Sequence, residues 1–185
     1  ELRFPPLDPN QMTDAQRSVA EAIAGGPRGG VRGPFIALLH HPKLAERLQQ
    51  VGEVLRFDSK LELPLIEIVV LVTARRWTCQ FEWFAHERIA RKAGLEEHII
   101  TAIREDRRPD EMTETQAAVY DFAVQVHADG RPSDAAYTAI ADRYGREGAL
   151  EMLSLCGYYT LLAMVLNTAD APLPDGAAPP LAPRG

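Results

Sequence analysis

The sequence is poor in cysteine and contains no apolar run long enough to cross a bilayer. Only Cys79 and Cys156 are cysteines among 185 residues, too few for a disulfide framework, which favours a reducing compartment over secretion. The most apolar runs, 68–72 and 161–166, are far shorter than the ~20 residues that a membrane-spanning helix needs. Because the sequence begins at Glu1 rather than methionine, we expect further residues upstream, with or without a targeting peptide. These features predict a soluble, cytoplasmic protein with no membrane partner.

Aromatic residues and positive net charge are also scarce. Aromatic side chains make up 7% of the chain, and the formal net charge is −6. Because nucleic-acid binding requires a basic surface, we expect no nucleic-acid partner. The 46% of hydrophobic and 25% of charged residues are ordinary globular values. We therefore predict a single domain over residues 1–185, with an N-terminal arm at 1–12 and a proline-rich tail at 170–185.

Helix signals recur between these two ends. Capping boxes of the form Thr-x-x-Gln predict helix starts at Thr13 and Thr113, and a third box begins at Ser59 and ends at Glu62. The following stretch, residues 66–74, is rich in β-branched residues and by propensity alone would be a strand. We assign it to a helix because a capping box and a proline in the first turn mark a helix start. Eight or so helices and no convincing strand result, so the predicted fold class is all-α.

The densest group of reactive side chains lies on a predicted helix over residues 79–93, which Thr78 is expected to cap. Cys79, Glu82, Trp83 and His86 fall within about a third of the circumference of this helix. A carboxylate and an imidazole four residues apart can touch. A cysteine in the first helical turn can be activated as a thiolate by the helix dipole.

A second carboxylate, Glu67, lies on the preceding helix and folds over this face if the chain reverses near residues 77–78. Two carboxyls, an imidazole and a thiol form a candidate general acid/base site. The alternatives are a solvent-exposed pair of Glu82 and His86, and Cys79 and Trp83 as ordinary core residues. No second histidine follows His86 at the zinc-protease spacing, so we expect no metal.

Further candidates for ligand binding lie elsewhere in the sequence. His40 precedes His41 and Pro42 and is either a ligand contact or part of a solvated helix end. Arg56 can clamp an anion, and Tyr158, next to Tyr159, can supply a hydroxyl group, although both positions also suit simple packing.

The spacing of Glu67, Cys79, Glu82 and His86 resembles the active-site frame of the carboxymuconolactone decarboxylase and alkylhydroperoxidase D superfamily. The resemblance covers roughly residues 30–175. Matching segments are GP at 33–34, LLHHP at 38–42, LRF at 55–57, AGL at 93–95, GYY at 157–159, LN at 166–167 and PLP at 172–174. The resemblance implies an alkylhydroperoxidase D-like helical bundle that assembles into trimers or hexamers, acts on a small molecule and uses no metal or organic cofactor.

One position departs from the peroxidase branch of that superfamily. The peroxidase branch uses Cys-x-x-Cys, in which one thiol reduces the peroxide and the second resolves the intermediate as a disulfide. Here Glu82 stands where the second thiol would be, three residues after Cys79. The Glu-Trp-x-x-His form resembles the decarboxylase branch, which implies a cofactor-free carboxy-lyase or isomerase of aromatic degradation acting on a small unsaturated lactone or keto acid.

From the chemistry of such a decarboxylation we hypothesise roles for individual residues. His86 is the proton donor or the group that polarises the carbonyl, and Glu67 orients and charges it. Glu82 is a proton shuttle or a second acid, and Arg56 or His40 anchors the substrate carboxylate. Trp83 and Tyr158 complete the predicted binding site. Two other functions stay open, a thiol-dependent hydroperoxidase that uses Cys79 and a divergent family member without this catalysis.

Overall fold

Eight α-helices form the chain in the computed structural model, which describes residues 2–184. They are α1 (Asp14–Gly25), α2 (Pro34–Leu38), α3 (Pro42–Phe57), α4 (Leu63–Arg76), α5 (Gln80–Lys92), α6 (Glu97–Arg104), α7 (Glu114–Asp129) and α8 (Asp134–Ala169). A short 3₁₀ turn follows at Pro174–Gly176, and no strand occurs between residues 2 and 184. The predicted all-α fold is confirmed. The first residue of the predicted arm, Glu1, and the last of the predicted tail, Gly185, lie outside the described residues.

Helix α4 is the centre of the bundle. It packs against α5, α6, α7 and α8, and every residue from 65 to 75 is buried. A helix that is apolar around its whole circumference must be covered on all sides. This requirement explains why the β-branched stretch at 66–74 is helical, because its partners in the core are other helices rather than paired strands. It also places one carboxylate, Glu67, inside the core.

Two of the three predicted capping boxes form, and the third prediction is wrong. Thr13 and Thr113 each accept a hydrogen bond from the backbone three residues on, and the glutamine there bonds back. Helix α4 instead begins after Glu62, which makes no side-chain capping bond. Ser59 donates to Glu151 on α8 and accepts from the backbone N–H of Leu61. Its hydroxyl therefore ties a loop to the bundle rather than capping a helix.

The prediction that Thr78 caps α5 is also wrong. The residue that precedes α5 is Cys79, and its side chain makes no capping hydrogen bond. Thr78 lies one position earlier with φ 45°, in the left-handed region that residues with a Cβ rarely adopt. This conformation turns the chain sharply after α4, so that α5 packs back against α4. The reversal brings the reactive face of α5 to the side of α4 that carries Glu67.

Helix α8 is broken at Gly145. Gly145 has φ 71°, which divides the helix into segments 134–144 and 146–169. By length and composition alone α8 could cross a membrane, since 18 of its residues have a mean hydropathy of 1.6. Half of that stretch is buried against the rest of the chain, a pattern that the core helix of a soluble protein also shows.

The proline-rich tail lies along the surface near the junction of α4 and α5. The side-chain amide of Gln80 donates to the carbonyl of Leu181 and accepts from its N–H, both at 2.9 Å. Arg75 donates to the carbonyl of Ala182 at 2.8 Å. Leu181 is itself buried in the core. The tail therefore holds the start of α5, the helix that carries the reactive residues.

Candidate active site

A buried hydrogen bond between an imidazole and a carboxyl group links α4 and α5. The Nδ1 atom of His86 lies 2.8 Å from Oε2 of Glu67, and the Glu67 side chain is completely buried. A carboxylate can only accept a hydrogen bond, so Nδ1 is the donor. Among residues 2–184, Nε2 of His86 has no hydrogen-bond partner. The imidazole is therefore oriented by Glu67 at one nitrogen and available to a ligand at the other.

Glu82 lies one helical turn before His86 but does not bond to it. Both of its carboxyl oxygens are buried without a hydrogen-bond partner in the described chain. Burial, and secondarily the negative charge of Glu67, raise the pKa of Glu82 well above its usual value. Glu67 has the imidazole as a partner and Glu82 has none, so Glu82 is the carboxyl that keeps its proton at neutral pH. The site thus holds one carboxyl group that is hydrogen-bonded to an imidazole and one that is buried without a partner.

These groups border a cavity of about 160 Å³ that opens to solvent. Glu82 and His86 line it from α5, and Tyr159 lines it from α8. The Tyr159 ring meets the imidazole edge to face, with ring centroids 5.1 Å apart. Burial raises the pKa of Tyr159, so its phenol stays protonated. The tyrosine therefore fixes the imidazole plane and does not compete with the carboxyl groups for protons.

Three arginines, Arg28, Arg32 and Arg56, line the same cavity. None of them forms an ion pair with an acidic side chain in residues 2–184. Arg28 donates from Nη2 to the Tyr158 hydroxyl at 3.2 Å and lies 4.6 Å from the centre of the Phe35 ring. Guanidinium groups without acidic partners at a cavity are suited to binding the carboxylate of a ligand.

Cys79 does not have the activated thiol that its position near a helix start predicts. Its side chain is completely buried and packs with Ala163 and Leu166. Burial, and then the charge of Glu82, raise the pKa of Cys79 to about 12. Burial likewise raises the pKa of Cys156 to about 12, and both cysteines are free. Desolvation outweighs the helix dipole at Cys79, so the predicted thiolate is wrong.

Three predicted binding residues, Trp83, His40 and Tyr158, do not line this cavity. Trp83 is buried in the core, with the Arg104 guanidinium 5.7 Å from its ring centre. His40 is exposed and has Nε2 2.8 Å from the carbonyl oxygen of Pro5 in the N-terminal arm. The Tyr158 hydroxyl accepts a hydrogen bond from Arg28, and Arg28 itself lines the cavity. Of the residues predicted to bind substrate, Arg56 is the one that lines the cavity.

Sequence reasoning missed Arg28 and Arg32 as cavity residues, and it named Tyr159 only beside Tyr158 as a source of hydroxyl groups. The two arginines stand in a glycine-rich loop, which by itself predicts only a turn or a mobile cover. One sequence signal marks them, because residues 22–45 contain no aspartate or glutamate. Arginines in such a segment have no local partner to neutralise them.

The site combines a proton donor, an oriented imidazole and a cluster of cations. General acid/base chemistry on a small anionic molecule uses these groups. Among residues 2–184, no three His, Cys, Asp or Glu side chains are grouped so that they could hold a metal ion.

Comparisons with known proteins agree with this architecture. The model of the carboxymuconolactone decarboxylase family matches residues 42–125, which include Glu67, Glu82 and His86. No curated protein matches the sequence.

Solved structures with a similar fold cover almost the whole chain. One is described as an alkylhydroperoxidase AhpD core, an uncharacterized peroxidase-related protein from Ralstonia eutropha JMP134. It has 21% sequence identity and a TM-score of 0.76 over 94% of this chain and 93% of that one. The debrominase Bmp8 has 14% identity and a TM-score of 0.72 over 95% and 94%. The same values hold for a cysteine-to-alanine variant of Bmp8 in complex with 2,3,4-tribromopyrrole. At these identities the similarity establishes the fold.

Proposed function

We propose that this chain, whose residues 42–125 match the model of the carboxymuconolactone decarboxylase family, is a cofactor-free carboxy-lyase or isomerase of the decarboxylase-like branch of that superfamily. Its substrate is a small unsaturated lactone acid or keto acid. The observation that carries the proposal is the buried, unpartnered Glu82 beside His86, which Glu67 orients, at a cavity lined by arginines.

Loss of carbon dioxide from such an acid needs an electron sink and a proton. The bond between the carboxylate carbon and the ring breaks, and its electron pair moves through a carbon–carbon double bond onto the lactone carbonyl oxygen. Carbon dioxide leaves and a dienolate remains. The carboxylic acid of Glu82 protonates carbon, which restores the carbonyl, and Glu82 regains its proton from solvent.

The remaining groups of the site support this step. His86 donates from Nε2 to the developing oxyanion, while Glu67 accepts from Nδ1 and fixes the plane of the imidazole. Arg56, with Arg28 and Arg32, holds the substrate in the orientation that places its reacting carbon near Glu82. The acid and the oxyanion donor thereby lie on one helix, α5, one turn apart.

The test is a panel of unsaturated lactone acids and keto acids, with carbon dioxide release as the readout. We expect wild-type protein to release carbon dioxide from at least one compound without added thiol. Consumption of alkyl hydroperoxide with a thiol donor, together with no carbon dioxide from any compound, would replace the proposal with the peroxidase function.

Cys79→Ser should keep the natural activity within about twofold, because the buried thiol with its raised pKa supplies neither a nucleophile nor a redox partner. The measurement is kcat/KM of the variant beside that of Cys156→Ser, the matched buried cysteine of α8. Loss of activity in Cys79→Ser alone would assign the chemistry to sulfur.

We also propose that the protein self-associates into trimers or hexamers. Large apolar side chains remain exposed on α3 and α8, and contiguous exposed apolar surface is typical of protein interfaces. These residues are Leu44, Val51, Val54, Phe57, Leu150, Leu161 and Met164. Light scattering at micromolar concentration should give a trimeric or larger mass, and Val54→Glu should lower it. A monomeric mass for the wild type contradicts this proposal.

A further inference from the structure

A second cavity lies next to the active-site cavity and differs from it in chemistry. It has a volume of about 110 Å³, and all the residues around it are apolar. Ile36 and Ala37 line it from α2, Ala169 lies at the end of α8, and Ala171 follows that helix. We refer to this cavity as the apolar chamber. Polar substrate groups gain no hydrogen bond there, whereas hydrocarbon groups do not need one.

The apolar chamber and the active-site cavity share a wall. Phe81, Leu166, Gly33 and Pro34 line both. Phe81 immediately precedes Glu82, so the wall is one residue away from the proposed acid. Gly33 has φ 55°, and a Cβ atom at that position would lie 3.1 Å from the Phe81 ring. Glycine therefore lets the backbone lie this close to the ring, where a larger residue would not fit.

The N-terminal arm forms the outer side of the chamber. Leu2 and Phe4 line the chamber and are themselves partly exposed to solvent. The arm is held by Arg3, which donates to the carbonyl of Thr168 at 3.0 Å, and by the contact between His40 and the carbonyl of Pro5. Two large apolar residues thus shield a cavity that the helices alone would leave open.

We propose that the apolar chamber is a second substrate subsite, which takes a hydrocarbon substituent of the acid bound among the arginines. The position of the acid group in this inference rests on the proposed function, whereas the apolar character of the chamber rests only on the residues that line it. The substrate class is accordingly an unsaturated acid with an apolar side chain on the side away from its carboxylate. Discrimination comes from methylene burial, which contributes about 0.8 kcal/mol per group, or about fourfold in affinity.

Two homologous series of simple probes test the subsite on the intact protein. Straight-chain carboxylates from acetate to decanoate, and the matching n-alkanols, are titrated by calorimetry. Once the chain is long enough to pass Phe81, each further methylene should tighten binding about fourfold until the chamber is full, and then affinity should level off. In Ala171→Leu, which fills the chamber, the increase should disappear while the affinity for the shortest carboxylates stays unchanged.

Ala128→Leu, on α7 and away from both cavities, is the matched control and should behave as the wild type. Phe4→Ala, which opens the outer side without disturbing a helix, should reduce the gain per methylene. A length dependence in the alkanols alone supports the chamber and contradicts the anion subsite of the proposed function. Affinity independent of length, or an increase that persists in Ala171→Leu, overturns the subsite.

Discussion

Replacing His86 by glutamine should lower kcat on the natural substrate by ~10²–10⁴, the usual contribution of general acid/base catalysis. Glutamine keeps a hydrogen-bond donor near the position of Nε2 but carries no positive charge and no transferable proton. Because the imidazole bonds only to Glu67 in the described chain, folding should be little affected. Steady-state kinetics together with a thermal melt separates the two effects.

The matched control is His98→Gln, an exposed histidine on α6, which should retain full activity. Glu67→Gln should lower kcat for a related reason, since His86 then loses the charge that fixes its orientation and protonation. Full activity in both His86→Gln and Glu67→Gln would remove this pair from the mechanism.

Glu82→Gln should make the protein more stable and nearly inactive at the same time. Glutamine cannot transfer a proton to carbon, so kcat should fall by ~10²–10⁴. It also cannot ionise, so it removes the free-energy cost of keeping a buried, unpartnered carboxyl group un-ionised. We expect the free energy of unfolding to rise at pH 7. Urea denaturation at fixed protein concentration measures it.

The size of this effect depends on pH. The unfolded chain releases the Glu82 proton near the ordinary pKa of 4.5, whereas the folded protein holds it to a much higher pH. Above pH 4.5 the folded state therefore binds more protons, and the stability of the wild type falls as pH rises, by up to about 1.4 kcal/mol per pH unit. The advantage of Glu82→Gln should shrink towards pH 4. The exposed control Glu21→Gln should show no such pH dependence, and an equal response of both variants would contradict a buried, protonated Glu82.

The sequence predicts the helix that carries Glu67 for a reason that is only partly correct. Pro64 marks the start of α4, but Ser59 bonds to Glu151 on a distant helix instead of capping it. A hydroxyl group can bond to any acceptor that the tertiary structure brings close, and spacing along the chain cannot show which one. Apolar character around the whole of α4 is the more robust signal, because it requires burial whatever the cap.

The position of the site follows from spacing, but its protonation and its cations do not. Glu67, Glu82 and His86 lie on two consecutive helices, so one chain reversal suffices to bring them together. Burial raises the pKa of Cys79 and of Glu82, so both side chains keep their protons. How deeply the two side chains are buried depends on which part of α5 is covered by α8. Arg28 and Arg32 reach the cavity from a glycine-rich loop, whose path is set by its contacts with α8 and α5 rather than by periodicity.

The central claim is that Glu82 is un-ionised at neutral pH. Infrared difference spectroscopy of wild-type protein against Glu82→Gln at pH 7 measures this directly, because a carboxylic acid and a carboxylate have distinct carbonyl stretching bands. The account predicts a carboxylic-acid band that is present in the wild type, absent in Glu82→Gln and absent from the difference spectrum of the Glu21→Gln control. A wild-type spectrum in which the only band lost on Glu82→Gln substitution is that of a carboxylate would contradict it.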